Sequence, residues 1–264
     1  MKRPLLSLLA GLALFAAQPA SAACPRIVSQ SPWVTMALDW MGRGECIVGV
    51  SRYDRRELPR TGGVIDPDPD AIAILDPQVM ITLNWTPAAK WQAMAPAGAT
   101  ALRVDGFKGV DDMERALRDI GRAAGVADVD ERVARFAAEW RAAADKVNGG
   151  NRRALVMTAC SGAPYSFGRG TTLYEVFKRA GIDVVADHDG IRNFKLDGPP
   201  GELENWVDGL KPEIVFALKN SRDEACNASI ARPGVTILPL DGERFTHPGP
   251  NILSGLEQLR EVLQ

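Results

Sequence analysis

Histidine is nearly absent from this sequence: His188 and His247 are the only two in 264 residues. A site for a bare Zn or Mn ion needs three or more His or carboxylate ligands, so a free-metal receptor is a poor fit. Cysteine is also scarce, and the four present (Cys24, Cys46, Cys160 and Cys226) nowhere stand at C-x-x-C spacing, which argues against thiolate metal sites. There is no excess of positive charge, with 31 Lys and Arg against 33 Asp and Glu. Nucleic acid and anionic membranes are therefore not the expected partners. After residue 23 no apolar run is long enough to cross a bilayer, so the chain is not expected to be membrane-embedded. No G-x-S-x-G elbow occurs either, which removes one common hydrolase signature.

What is present begins at the first residue. Met1-Lys2-Arg3 is a short basic region, Leu5 to Ala17 carries no charge, and Ala20-Ser21-Ala22 offers small residues for cleavage. Residues 1–23 thus read as a secretory signal, too short to span a membrane, with the product in the periplasm. Ser21 argues against lipid attachment at Cys24, because a branched apolar residue usually stands there. Removal of Lys2 and Arg3 leaves 29 basic against 33 acidic residues, a charge of −4. An even cysteine count in an exported chain suggests two disulfides. Three pairings are possible. Cys24–Cys46 with Cys160–Cys226 keeps each bridge within one half of the chain.

Short β-branched runs alternate with helical stretches, the pattern of parallel α/β units. Strands are expected at 26–29, 47–50, 79–82 and 101–104, and again at 154–158, 183–185, 214–217 and 236–238. The halves echo each other: Ala73 to Ile81 resembles Asp208 to Phe216, each a helix ended by a proline and followed by a strand. Between them, Asp111 to Ala124 is helical and Gly125 interrupts. From Asp130 to Val147 there is no Gly or Pro, and Val129, Val133, Phe136, Trp140, Ala144 and Val147 form one apolar stripe. Such a helix would be a rod of roughly 28 Å. The expected organisation is an α/β lobe over 24–108, a linker with the long helix over 109–150, and a second α/β lobe over 151–264.

Ligands of open α/β sheets bind beyond the carboxyl ends of the strands. That places Ser31-Pro32-Trp33, Ser51 to Arg56, Asn84-Trp85-Thr86, Cys160 to Tyr165 and Asp241 to His247 around a cleft. The aromatic planes of Trp33, Tyr53, Trp85 and Tyr165 suit a flat macrocycle or catechol. Arg55, Arg56, Arg169 and Arg192 suit carboxylate, phosphate or catecholate. His247 could face the metal of a bound chelate. Trp40, Trp91, Trp140 and Trp206 lie inside helical stretches and are expected in the core.

Several stretches resemble one family: Arg26-Ile27-Val28-Ser29 with Ser31-Pro32, Met41-Gly42 with Gly44, and Ile47 to Ser51. Gly62-Gly63, Pro69-Asp70-Ala71-Ile72, Pro164-Tyr165-Ser166 with Gly168 to Thr171, and Pro248 to Leu253 continue the match. Together they resemble the periplasmic binding proteins with a helical backbone, which serve ABC importers of cobalamin, ferric siderophores and haem. The short chain is most similar to the vitamin B12-binding members. The resemblance implies two lobes around a cleft, no enzymatic activity, no covalent cofactor, and a monomer. A corrinoid or ferric siderophore would be the cargo and a permease dimer the partner. It places Tyr53 at a ligand-contacting tyrosine and puts Trp33 and Tyr165 in ligand loops. It also implies an acidic docking residue on each lobe. Asp70 fills the first position. The second falls on Asn205, with Glu204 beside it and Glu202 nearby. A ligand sensor without a permease, or a periplasmic enzyme using Cys160 or Ser161, are the alternatives.

Overall fold

The computed structural model describes residues 24–158, 163–195, 197–219 and 230–264. Residues 1–23, expected to be a signal segment, and Cys160 and Cys226, expected to form a bridge, lie outside them.

In the first half β1 (Ile27–Ser29), β2 (Ile47–Val50), β3 (Val79–Leu83) and β4 (Thr100–Val104) form one sheet, order β2-β1-β3-β4, parallel throughout. α1 (Pro32–Trp40), α2 (Pro69–Leu75) and α3 (Ala88–Ala93) connect them. The central strands β1 and β3 are buried at every position, which is why they read as unbroken apolar runs rather than alternating ones. Cys24 and Cys46 are disulfide-bonded, their Cα atoms 5.6 Å apart.

The second half contains β5 (Arg153–Thr158), β6 (Tyr165–Phe167), β7 (Asp183–Val184), β8 (Ile191–Asn193), β9 (Ile214–Lys219) and β10 (Thr236–Asp241). Their helices are α6 (Thr172–Arg179), α7 (Glu202–Leu210) and α8 (Ile252–Val262). This sheet is mixed, not parallel throughout. β10, β9, β5 and β7 run parallel, while β6 is antiparallel to both β5 and β8. Six residues separate β5 from β6, too few for the crossover that a parallel neighbour requires.

The echo between the halves has a structural counterpart. α2 ends on Asp76 and α7 on Lys211, non-glycine residues at φ 42° and 50°. Each helix is then stopped by a proline, and each is closed by an arginine from the lobe's central strands. Arg26 donates from Nη2 to Leu75 O at 2.6 Å, and Arg153 to Leu210 O at 2.6 Å. These guanidinium groups satisfy last-turn carbonyls that have no partner inside the helix. The correspondence places Asn205 where the first lobe has Asp70.

Two helices bridge the halves. α5 (Val129–Asp145) is the long helix expected there, about 25 Å at 17 residues. α4 (Val110–Ala123) packs beside it and also touches α1, β4 and α6, while α5 reaches α6 and α8. Trp140 of α5 is buried and donates to Glu114 of α4 at 3.2 Å. Phe136 meets Trp40 of α1 edge-on at 5.6 Å. The crossover from β4 to α4 is pinned to the second lobe. Thr172 donates its backbone N–H to Phe107 O and its hydroxyl to Gly106 O and Gly109 O, all within 3.1 Å. Glu175 accepts from Val110 N at 2.7 Å. Gly106 sits at φ 146°, and a Cβ there would stand 2.5 Å from the Trp33 ring, so only glycine fits this approach.

Candidate functional site

A cleft of about 1440 Å³ opens between the first lobe and the segment joining β10 to α8. Pockets for drug-sized ligands run roughly 300–1,000 Å³, so this one suits a bulky partner. The first lobe lines it from beyond the carboxyl ends of β1, β2 and β3, with one face of α1 (Pro32, Thr35, Met36, Asp39 and Trp40), Tyr53 to Arg56, Val64-Ile65 and Trp85. The second lobe adds Glu243 to Glu257.

The wall exposes large apolar side chains. Tyr53 (62%), Ile65 (64%) and Trp85 (54%) are three of the five large apolar side chains that the described protein leaves open to solvent. Gathered apolar exposure of this kind marks a binding surface. Trp85 is backed by Phe107 at 5.5 Å, which packs in turn on Trp33 at 5.5 Å.

The arginines do not present free charge. Arg55 crosses the cleft to Glu243 in a two-pronged ion pair, with Nη1 to Oε2 at 3.1 Å and Nη2 on Oε1. Arg56 is held by Asp39 and donates to Gly44 O. Arg52 pairs with Asp66. Asp39, Asp54, Glu243 and Glu257 outnumber Arg55 and Arg56 on the lining, so the cleft is net acidic. Burial pushes the Asp39 carboxyl up, and Asp54 and Glu45 add to this against the opposing pull of Arg56. The anion-binding role expected for the arginine run does not fit this arrangement.

His247 lines the cleft and makes no hydrogen bond among the described residues. Burial lowers its pKa below 6.5, with Glu243 opposing. The folded chain therefore keeps this imidazole neutral while the unfolded chain takes up a proton. Stability is unaffected well above pH 6.5 and falls as the pH drops through 6.5 toward the folded value. His188, also lowered by burial, adds to the same slope. A His247→Gln protein should lose less of its Tm between pH 7.5 and 5.5 than the parent, as measured by calorimetry. An unchanged slope would contradict the burial argument.

Other expected site residues stand elsewhere. Trp33 is fully enclosed in the core and absent from the cleft wall, because Ser31 caps α1 and turns the indole inward. Tyr165 packs on Phe167 at 5.4 Å in the second sheet, and Arg169 pairs with Asp189 at 2.8 Å; neither lines the cleft. Arg192 is stacked on Phe194 and Trp206 and paired with Glu202. His188 bonds Ser166 at 2.8 Å. Trp91, Trp140 and Trp206 are buried as expected, but Trp40 borders the cleft. Missed by the sequence reading were Thr35, Met36 and Asp39, which share one face of α1 with Pro32, together with Ile65. The i, i+3, i+4, i+7 spacing on α1 was the available signal.

Asp70 is exposed on the first turn of α2. Asp68, not Asp70, caps that helix, accepting from Asp70 N and Ala71 N at 3.1 Å. The Asp70 carboxylate is thus not used as the cap. Glu204 is half-buried on α7 and Asn205 is exposed.

No family model matches this sequence, and no curated protein matches it. Among solved structures, the periplasmic heme-binding protein HutB of Vibrio cholerae superposes with TM-score 0.74 at 14% identity, over 90% of this chain and 98% of that one. The heme-binding protein RhuT of Roseiflexus sp. RS-1 gives 0.70 at 19%, over 90% and 97%. The vitamin B12-binding protein BtuF of Vibrio cholerae gives 0.69 at 17%, over 91% and 96%. The chain has the periplasmic binding-protein fold. In that two-lobed fold the cleft described above lies between the lobes, and the described residues hold no helix long and apolar enough to cross a membrane.

Proposed function

We propose that this chain is the periplasmic receptor of an ABC importer and that it captures a bulky, neutral or cationic metal chelate of the corrinoid type. The observation that carries the reading is the cleft itself: about 1440 Å³, walled by exposed Tyr53, Ile65 and Trp85, with its arginines already paired. A flat macrocycle covers such rings. A ferric catecholate, strongly anionic, would meet a net acidic wall. Neighbours of the same fold bind haem or vitamin B12, and their cargoes are ligands rather than cofactors. His247, neutral and without a hydrogen bond among the described residues, is the nitrogen donor proposed to face the chelated metal.

Titration of the mature protein with cobalamin, haemin and a ferric catecholate, followed by absorption and tryptophan quenching, tests this. The corrinoid should bind in the micromolar range or tighter. Tightest binding of the catecholate would overturn the charge argument, and no binding by any of them would overturn the chelate reading.

Docking to the permease is proposed to rest on Asp70, with Glu204 as a weaker second contact. Asp70→Arg should cut cellular uptake by about tenfold or more while leaving the ligand Kd within twofold. Full uptake by this variant would remove the docking assignment. Asn205, uncharged where Asp70 has its counterpart, is the one feature that favours a sensor without a permease. Uptake that is unaffected by deleting every candidate permease would support that second reading.

A further inference from the structure

Trp33 and the segment His247-Pro248-Gly249-Pro250 are far apart in sequence and joined in the core. The indole Nε1 donates to Pro248 O at 2.7 Å, across 215 positions. The segment has few other anchors. Pro248 and Pro250 have no N–H to give. The flanking backbone bonds, Thr246 N to Gly242 O, Ile252 N to Gly249 O and Leu253 N to Pro250 O, stay within the second lobe. Among the described residues, the indole makes the one hydrogen bond from the first lobe to residues 247–250.

The indole is itself boxed in. Phe107 lies 5.5 Å from its ring. Gly106 approaches so closely that a Cβ would stand 2.5 Å from the ring, and a Cβ on Gly249 would be 3.5 Å from Nε1 and 3.0 Å from Met36 Cε. A ring so enclosed has one orientation, and its N–H one direction. The His247 side chain has no hydrogen bond of its own among the described residues, so its placement follows its backbone.

We propose that Trp33 is a positioning residue: through the Pro248 carbonyl it holds the His247 imidazole at the cleft wall. The effect on ligand binding rests on the reading of His247 as the metal-facing donor; the placement does not.

Trp33→Phe keeps a buried ring and removes the N–H. Gly249→Ala keeps Trp33 and its N–H but puts a methyl group 3.0 Å from Met36 Cε, which shifts the segment carrying the Pro248 carbonyl, and serves if the first variant folds poorly. Trp140→Phe removes a buried indole away from the cleft and controls for general loosening. The His247 ring is followed by NMR in the ligand-free mature protein, and aquocobalamin is the binding probe. In Trp33→Phe and Gly249→Ala, the His247 ring signal should shift. Aquocobalamin should bind about tenfold more weakly, the equivalent of one buried hydrogen bond. Trp140→Phe should change neither. An unmoved His247 signal in both cleft variants, or an equal shift in Trp140→Phe, would overturn the inference. A moved signal with undiminished binding by His247→Ala would uphold the positioning and overturn only the metal-facing reading.

Discussion

Replacing Tyr53 and Trp85 together by alanine is expected to weaken corrinoid binding by about a hundredfold or more. Both rings stand open on the cleft wall, at 62% and 54% exposure. Covering one such ring with a flat ligand contributes roughly 1.5–3 kcal/mol. Two rings acting on separate parts of the ligand should sum to about 3–6 kcal/mol, which is roughly two to four orders of magnitude in Kd. Stability should change little for Tyr53→Ala, because an exposed side chain has little packing to lose. Trp85→Ala should cost more, since its ring rests on Phe107. Titration beside thermal melting separates the two effects. An unchanged Kd in the double variant would show that the ligand sits elsewhere.

The largest loss of stability should come from Trp140→Ala. This side chain is 2% exposed and joins the two bridging helices. Its N–H reaches Glu114, a carboxylate that also pairs with Arg141 at 2.8 Å, and the Arg141 guanidinium lies 4.7 Å from the indole ring. Truncation removes the packing, leaves a cavity and takes one donor from a nearly buried acid. Buried Trp→Ala changes cost about 3–5 kcal/mol, and at this size each kcal/mol shifts Tm by about 2–4 °C. A fall of about 10 °C or more is expected by calorimetry, with Trp140→Phe intermediate. A fall under about 3 °C would mean that the α4–α5 contact is not what joins the halves.

Much of the fold was legible because burial writes itself into residue type. β3, buried at every position, is a run of Val, Met, Ile, Thr and Leu, and Pro77 and Pro212 mark where helices must stop. β6 and β8 were not seen. They are three residues long, and the pattern expected for a parallel sheet hid an antiparallel return that the short β5–β6 connection already required. The site was less legible, for a different reason. Tyr53 and Trp85 were found because their loops follow strands. Trp33 follows a strand too, yet a cap at Ser31 rotates it into the core, and one-dimensional spacing does not show which way a first helical turn faces. The arginines were read as an anion site because sequence shows a charge but not its partner. Glu243 lies 188 positions from Arg55.

For the proposed receptor, the crossover held by Thr172 and Glu175 has a consequence for how an occupied molecule is told from an empty one. Four hydrogen bonds joining Thr172 and Glu175 to the crossover leave the lobes little room to swing. A protein that scarcely changes shape cannot announce its cargo by closing over it. A permease docked on the proposed receptor would then have to sense the cargo directly at the open rim, and a mismatched molecule lodged in the cleft would be presented as readily as the right one.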